Sequence, residues 1–171
     1  HLRTMVDAIT ALPADKAVAL FEKFNVFNRA ELESRVEIYY ESYAKAINIE
    51  ARTMIDMAGK QIIPAVIRYT TTLANSINAV TAACGADVSA QTELLFETSD
   101  LLSEAKVALS QLIQASDKAM AMEGGREQAV CCRDEVRSAM DALRAPVDRL
   151  EMIVDKEIWP MPSYGDLIFE V

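Results

Sequence analysis

Residues 94–122, LLFETSDLLSEAKVALSQLIQASDKAMAM, place Leu94, Thr98, Leu101, Ala105, Ala108, Leu112, Ala115, Ala119 and Met122 at alternating steps of four and three. A repeat of 3.6 residues per turn brings such positions onto one face of a helix. Leu95, Leu102, Leu109 and Ile113 widen that seam. A stripe this long is buried only if other helices lie along it, so the fold is expected to be a helical bundle.

Reading outward, Gly124-Gly125 is the sharpest turn signal in the chain. Beyond it, Arg126 to Trp159 carries a second seam through Ala129, Cys132, Val136, Ala139, Leu143, Val147, Leu150 and Val154, with a bend expected at Pro146. Upstream, Gly85 closes a helix and Asp87 to Ser89 carry the turn, with Ser89 as the expected N-cap. From Arg29 to about Ala83 the apolar positions Leu32, Val36, Tyr39, Tyr43, Ala46 and Ile47, then Met54, Met57 and Ala58, predict one long helix kinked at Pro64. Asn28 with Glu31 three residues on resembles a capping box at its start. Two short amphipathic segments precede it, residues 4–12 stopped by Pro13 and a second starting near Ala14.

These signals predict an all-α fold: a long antiparallel bundle of three long helices, kinked at Pro64 and Pro146, with short N-terminal helices. A single domain over 1–171 is expected, made of short helices (1–27), a long-helix bundle (28–158) and an extended tail (159–171). The tail, WPMPSYGDLIFEV, has Pro160, Pro162 and Gly165 close together and ends in β-favouring apolar residues. Leu167, Ile168, Phe169 and Val171 have no reason to be solvated, so the tail is expected to lie against this bundle or a surface outside the chain.

Composition narrows the function. The chain has 171 residues, 17 Lys+Arg against 26 Asp+Glu, and a net charge of −9. Nucleic acid, which needs a basic face to displace counterions, is disfavoured as a partner. No apolar run approaches the ~18 residues of a membrane span and no signal peptide is visible, so neither membrane nor secretion is expected. Three cysteines (Cys84, Cys131 and Cys132) without a CxxC spacing fit a reduced, cytoplasmic setting. The single histidine is His1, so histidine-based acid–base chemistry, triads and His-ligated metals are nearly impossible within this chain. The chain also begins without Met, as a processed fragment would.

Several clusters are candidates for chemistry. Glu93, Glu97, Asp100 and Glu104 share one helix face and could hold Mg²⁺ or Ca²⁺, but a solvated outer face opposite the leucine seam is the preferred reading. Glu33, Glu37 and Glu41, near Arg35 and Lys45, read as surface too. The methionines, Met120, Met122, Met140 and Met152 among them, read as core filling rather than a groove. Cys131-Cys132 reads as structural, and Gly124-Gly125 lacks the strand that precedes a phosphate loop. Asn48, Glu50, Arg52 and Asp56 interrupt an apolar stripe instead of sitting opposite it, with an Arg52–Asp56 pair expected. This polar interruption suits a helix docked on another polar surface. The candidate interface therefore comprises Asn48, Glu50, Arg52 and Asp56 with Trp159, Tyr164, Leu167 and Phe169 of the tail; no catalytic, cofactor or metal residue is assigned.

Two stretches carry a recognisable likeness. ESRVEIYYESYAKAINIEARTMIDMAGKQIIPAVIRY (33–69), with INIEA, MIDMA and IIPAV as its specific parts, resembles the C-terminal helical region of type III glutamine synthetases. RDEVRSAMDALRAPVDRLEMIVDKEIWPMPSYGDLIFEV (133–171) is similar to the carboxyl terminus of the same family. The resemblance implies a parent enzyme that uses ATP and Mg²⁺ or Mn²⁺ to join ammonia to glutamate through a γ-glutamyl phosphate. It also implies homo-oligomeric rings with active sites between subunits, and catalytic residues in an upstream region absent from this chain. The partners expected are that upstream catalytic domain and neighbouring subunits. The rival readings are a stand-alone helical adaptor binding partner helices and a carboxylate metal bundle.

Overall fold

A computed structural model describes residues 2–169, apart from the side chain of Tyr164; His1, Glu170 and Val171 lie outside the described residues. The described chain is all-α, without a strand. Its helices are α1 (Met5–Ala11), α2 (Asp15–Lys23), α3 (Arg29–Met57), α4 (Ile63–Cys84), α5 (Ser89–Met120), α6 (Arg126–Cys131), α7 (Arg137–Ile153) and α8 (Tyr164–Phe169). Single π-helical turns, Ala58–Ile62 and Cys132–Val136, join α3 to α4 and α6 to α7. The three long helical stretches expected from the seams are thus 29–84, 89–120 and 126–153. The chain divides into two compact units, His1–Thr53 with Leu112–Met140, and Met54–Gln111 with Asp141–Val171.

In the first unit local signals set the helix starts. Thr4 and Asp7 form a reciprocal capping box on α1, the Asp7 N–H donating to Thr4 Oγ1 at 3.2 Å and the Thr4 N–H to Asp7 Oδ2 at 3.1 Å. Asn28 and Glu31 do the same for α3, at 2.9 and 2.8 Å. The buried stripe of α3 in this unit runs through Leu32, Val36, Tyr40, Tyr43, Ala44, Ile47 and Ala51. Here the sequence reading needs correction: Tyr40, 3% exposed, faces the core, whereas Tyr39 is 38% exposed and Ala46 is also outside. Four-residue steps from Leu32 and Val36 lead to Tyr40, and its buried hydroxyl finds Thr10 Oγ1 of α1 at 2.8 Å. Arg133 reaches Asp7 at 3.0 Å, a second tie to α1.

In the second unit Ile62, Val66, Leu101, Ala105, Leu150 and Val154 form a buried cluster, with Tyr69, Val147 and Trp159 packed against it. Burying each Val, Leu or Ile side chain of the cluster contributes about 1.5–3 kcal/mol, against at most ~1 kcal/mol for an exposed ion pair. The seams therefore hold the helices, and the surface pairs tune them. Thr98, fully buried, donates its hydroxyl to the Leu94 carbonyl at 2.7 Å and leaves no orphan in the core.

Backbone detail departs from expectation at two places, the Ser89 cap and the end of the last long helix. Pro64, by contrast, does not stop the helix, as expected. Its missing donor falls after the π-turn, where the Ile63 N–H bonds the Ala58 carbonyl, so the chain stays helical through it. Ser89 is the first helical residue rather than the cap: Asp87 accepts its N–H and its hydroxyl, each at 3.0 Å, and these bonds hold the Asp87 carboxyl below its ordinary range. The last long helix ends at Ile153, not Trp159, because Asp155 accepts the Glu157 N–H at 2.8 Å and starts a turn.

Candidate functional site

The segment after α7 is built to present apolar side chains outward. Trp159 donates its backbone N–H to the Asp155 carbonyl at 2.9 Å and packs its ring on the buried cluster of the second unit. Its indole Nε1 is buried without an acceptor among the described residues. Pro160 and Pro162 carry the chain past the turn to Ser163.

The tail expected to be extended is helical instead. Ser163 and Asp166 form a capping box: the Ser163 N–H reaches Asp166 Oδ2 at 2.7 Å, and the Asp166 N–H reaches Ser163 Oγ at 3.3 Å. That box starts α8 despite the β-favouring DLIF residues, because local capping outweighs a weak propensity. The S-x-x-D spacing was legible in the sequence. Lys156 anchors the same carboxylate at 2.8 Å. This ion pair, then the Ser163 N–H and hydroxyl, holds the Asp166 carboxyl down to about 2.

So fixed, α8 leaves Leu167 67%, and Phe169 80%, exposed, with Ile168 beside them. Met152, 83% exposed, adds to the apolar surface of the second unit. Leu167 and Trp159 line a groove of about 750 Å³ with Met54, Met57 and Met161, and the Arg144–Asp148 pair (3.2 Å) borders it. Met152 therefore does not fill the core as the sequence reading expected. Of the tail residues singled out, Trp159, Leu167 and Phe169 are described; the Tyr164 side chain lies outside the described residues.

The other half of the candidate interface sits on α3. Asn48 is half-buried, whereas Glu50, Arg52 and Asp56 are exposed. The expected Arg52–Asp56 pair is replaced by two others. Arg52 Nε donates to Asn48 Oδ1 at 3.2 Å, and Asp56 pairs with Lys60. An acid four residues before a base is the better helical orientation, which favours Asp56–Lys60 over the reversed pair. Asn48–Thr53 falls in the first unit and Met54–Asp56 in the second.

The remaining clusters hold less. Glu93, Glu97, Asp100 and Glu104 line one open groove of about 820 Å³ with Phe96, and Arg149 approaches Glu97 at 3.4 Å. Among the described residues no three His, Cys, Asp or Glu side chains converge as metal ligands. Cys131 and Cys132 are buried, and burial pushes the Cys132 thiol up to about 11, away from reactivity. No helix of the described residues is long and apolar enough to cross a membrane.

The Asp166 clamp predicts a pH signature. Its carboxyl is held below the ordinary 3.8, so the clamp is complete above about pH 4 and is lost as pH falls through about 2. Asp166→Asn should produce the same release at neutral pH. The expected readout is a red shift in the emission of Trp159, the one tryptophan of the chain, with helical content nearly unchanged. Unshifted emission in that variant would show that the clamp does not hold the tail.

The glutamine synthetase C-terminal domain family model matches residues 1–81. A glutamine synthetase of Bacteroides fragilis is 31% identical over 90% of this chain and 22% of its own length. The type-3 glutamine synthetase of Dictyostelium discoideum is 29% identical over 99% of the chain and 24% of its own length. A glutamine synthetase of Butyrivibrio fibrisolvens is 28% identical over 100% of the chain, which covers 25% of that protein. The chain thus spans about a quarter of the length of these relatives. With an all-α fold, a family match over residues 1–81 and relatives aligned along nearly all of it, the chain is similar to the C-terminal region of glutamine synthetases.

Proposed function

We propose that this chain is the structural and assembly domain of a glutamine synthetase, with the chemistry carried by a part of the parent protein outside it. The parent would be a cytoplasmic, ATP-dependent glutamate–ammonia ligase working as a homo-oligomer, and ATP with Mg²⁺ or Mn²⁺ would bind outside these residues. The observation that carries the reading is α8. A capped, ion-paired helix spends its anchoring contacts on holding Leu167 and Phe169 in water, which is favourable only where another surface covers them. The chain's share of its relatives, about a quarter, supports a domain within a larger enzyme.

In this reading α8 and the Asn48–Asp56 face dock on the catalytic domain or a neighbouring subunit. The test is Phe169→Asp, and separately deletion of residues 163–171, in the full-length enzyme. Assembled mass by light scattering and glutamine formation should both fall, about tenfold or more, as an apolar anchor loses its pocket. Unchanged mass and turnover in both variants would overturn the docking role.

A further inference from the structure

Four of the eight methionines, Met54, Met57, Met152 and Met161, line the groove of about 750 Å³ in the second unit, with Trp159 and Leu167 among its other apolar walls. They come from the end of α3, from α7 and from the segment before α8. Unbranched thioethers on three separate segments make walls that re-pack around an apolar guest. Asp148 and Glu151 of α7 also line this groove, and both are exposed. Arg144 already holds Asp148, whereas Glu151 makes no ion pair among the described residues. The surroundings are acidic too. The second unit carries 13 Asp+Glu against 6 Lys+Arg, so −7 of the chain's net −9 sits there. Four of those six bases are paired within the unit: Lys60 with Asp56, Arg144 with Asp148, Arg149 with Glu97 and Lys156 with Asp166. Outside these pairs stand nine acids and only Arg68 and Lys106.

We infer that this groove takes an amphipathic helix rich in lysine or arginine, its apolar side chains among the methionines and its bases facing Glu151. The apolar lining selects side chains repeated along one helix face, the pattern by which helices seat in grooves. The acidic surroundings then draw in a cationic helix and repel an anionic one. A second copy of the chain does not supply such a helix, because none of α1 to α8 has a net charge above +1. The inference rests on the reading of α8 given above, since Leu167 is one wall of the groove. It adds the chemistry of what α8 meets: an apolar stripe flanked by bases.

The test titrates the 171-residue chain with an amphipathic peptide of leucine and lysine about four helical turns long, and with its leucine–glutamate counterpart. Trp159, the one tryptophan of the chain, lines the groove and reports occupancy through its emission. The lysine peptide should shift that emission saturably, and the glutamate peptide should not. Two exposed charge reversals then separate the groove from general attraction. Glu151→Lys should weaken the lysine peptide about tenfold. Glu104→Lys, on α5 and away from this groove, changes the net charge equally and should leave binding unchanged. Circular dichroism checks that both variants keep their helical content. An emission that the lysine peptide does not move would overturn the inference, as would equal binding of the two peptides. Equal losses in the two variants would also overturn it, by showing that net charge and not the groove attracts the peptide. If Phe169→Asp lowers the assembled mass of the full-length enzyme while the lysine peptide does not bind, this inference fails and the α8 reading stands.

Discussion

Leu150→Ala is expected to lower the unfolding free energy by about 2–5 kcal/mol, the cost of lost burial plus the cavity left behind. Leu150 is fully buried in one cluster with Ile62, Val66, Leu101 and Ala105, so three long helical stretches contribute to the core around it. Its neighbour in sequence supplies the contrast. Arg149 makes an exposed 3.4 Å pair with Glu97, and Arg149→Ala should cost less than ~1 kcal/mol. Urea unfolding followed by circular dichroism separates the two. If both substitutions cost about the same, the seams do not hold this unit and surface ion pairs carry more weight than assigned above.

The seams were legible because burial follows the helical repeat. Ala129, Cys132, Val136, Leu143, Leu150 and Val154 are all buried as the spacing of Arg126–Trp159 requires, and so are Thr98, Leu101, Ala105 and Leu112. Where two adjacent residues are both apolar, as at Tyr39 and Tyr40, a step of three or of four from Val36 fits either, and the Thr10 hydroxyl that meets Tyr40 lies thirty residues away. The π-turns have no local sequence signal, since they answer to how the long helices pack. In the tail, the S-x-x-D spacing of Ser163 and Asp166 is readable, and the two hydrogen bonds it makes start a helix against a β-favouring composition. For the candidate site, the apolar anchors Trp159, Leu167 and Phe169 were found from composition. The Lys156 clamp that orients them spans ten residues across a turn, and no periodicity reports it.

The Gly124-Gly125 turn divides into two unequal glycines. Gly125 has φ +94° and ψ −155°, a region that side-chain-bearing residues scarcely enter, and a Cβ there would meet Glu37 Oε2 at 3.3 Å. Gly124 has no positive φ, and its added Cβ would find Gln128 Oε1 only at 4.0 Å. Gly125→Ala should therefore destabilise the chain by about 1–3 kcal/mol, while Gly124→Ala stays within ~0.5 kcal/mol or stabilises slightly by restricting the unfolded chain. Gly85 calibrates the comparison: it is left-handed at φ +62° with nothing within 4 Å of an added Cβ. Gly85→Ala should fall between the other two, at about 1 kcal/mol, and Gly85→Asn should recover part of that. Thermal unfolding of the four variants gives the order. If Gly125→Ala and Gly124→Ala proved equal, the turn would not be held by its backbone angles, and the start of α6 would owe its place to the buried Ala129 and Cys131 alone.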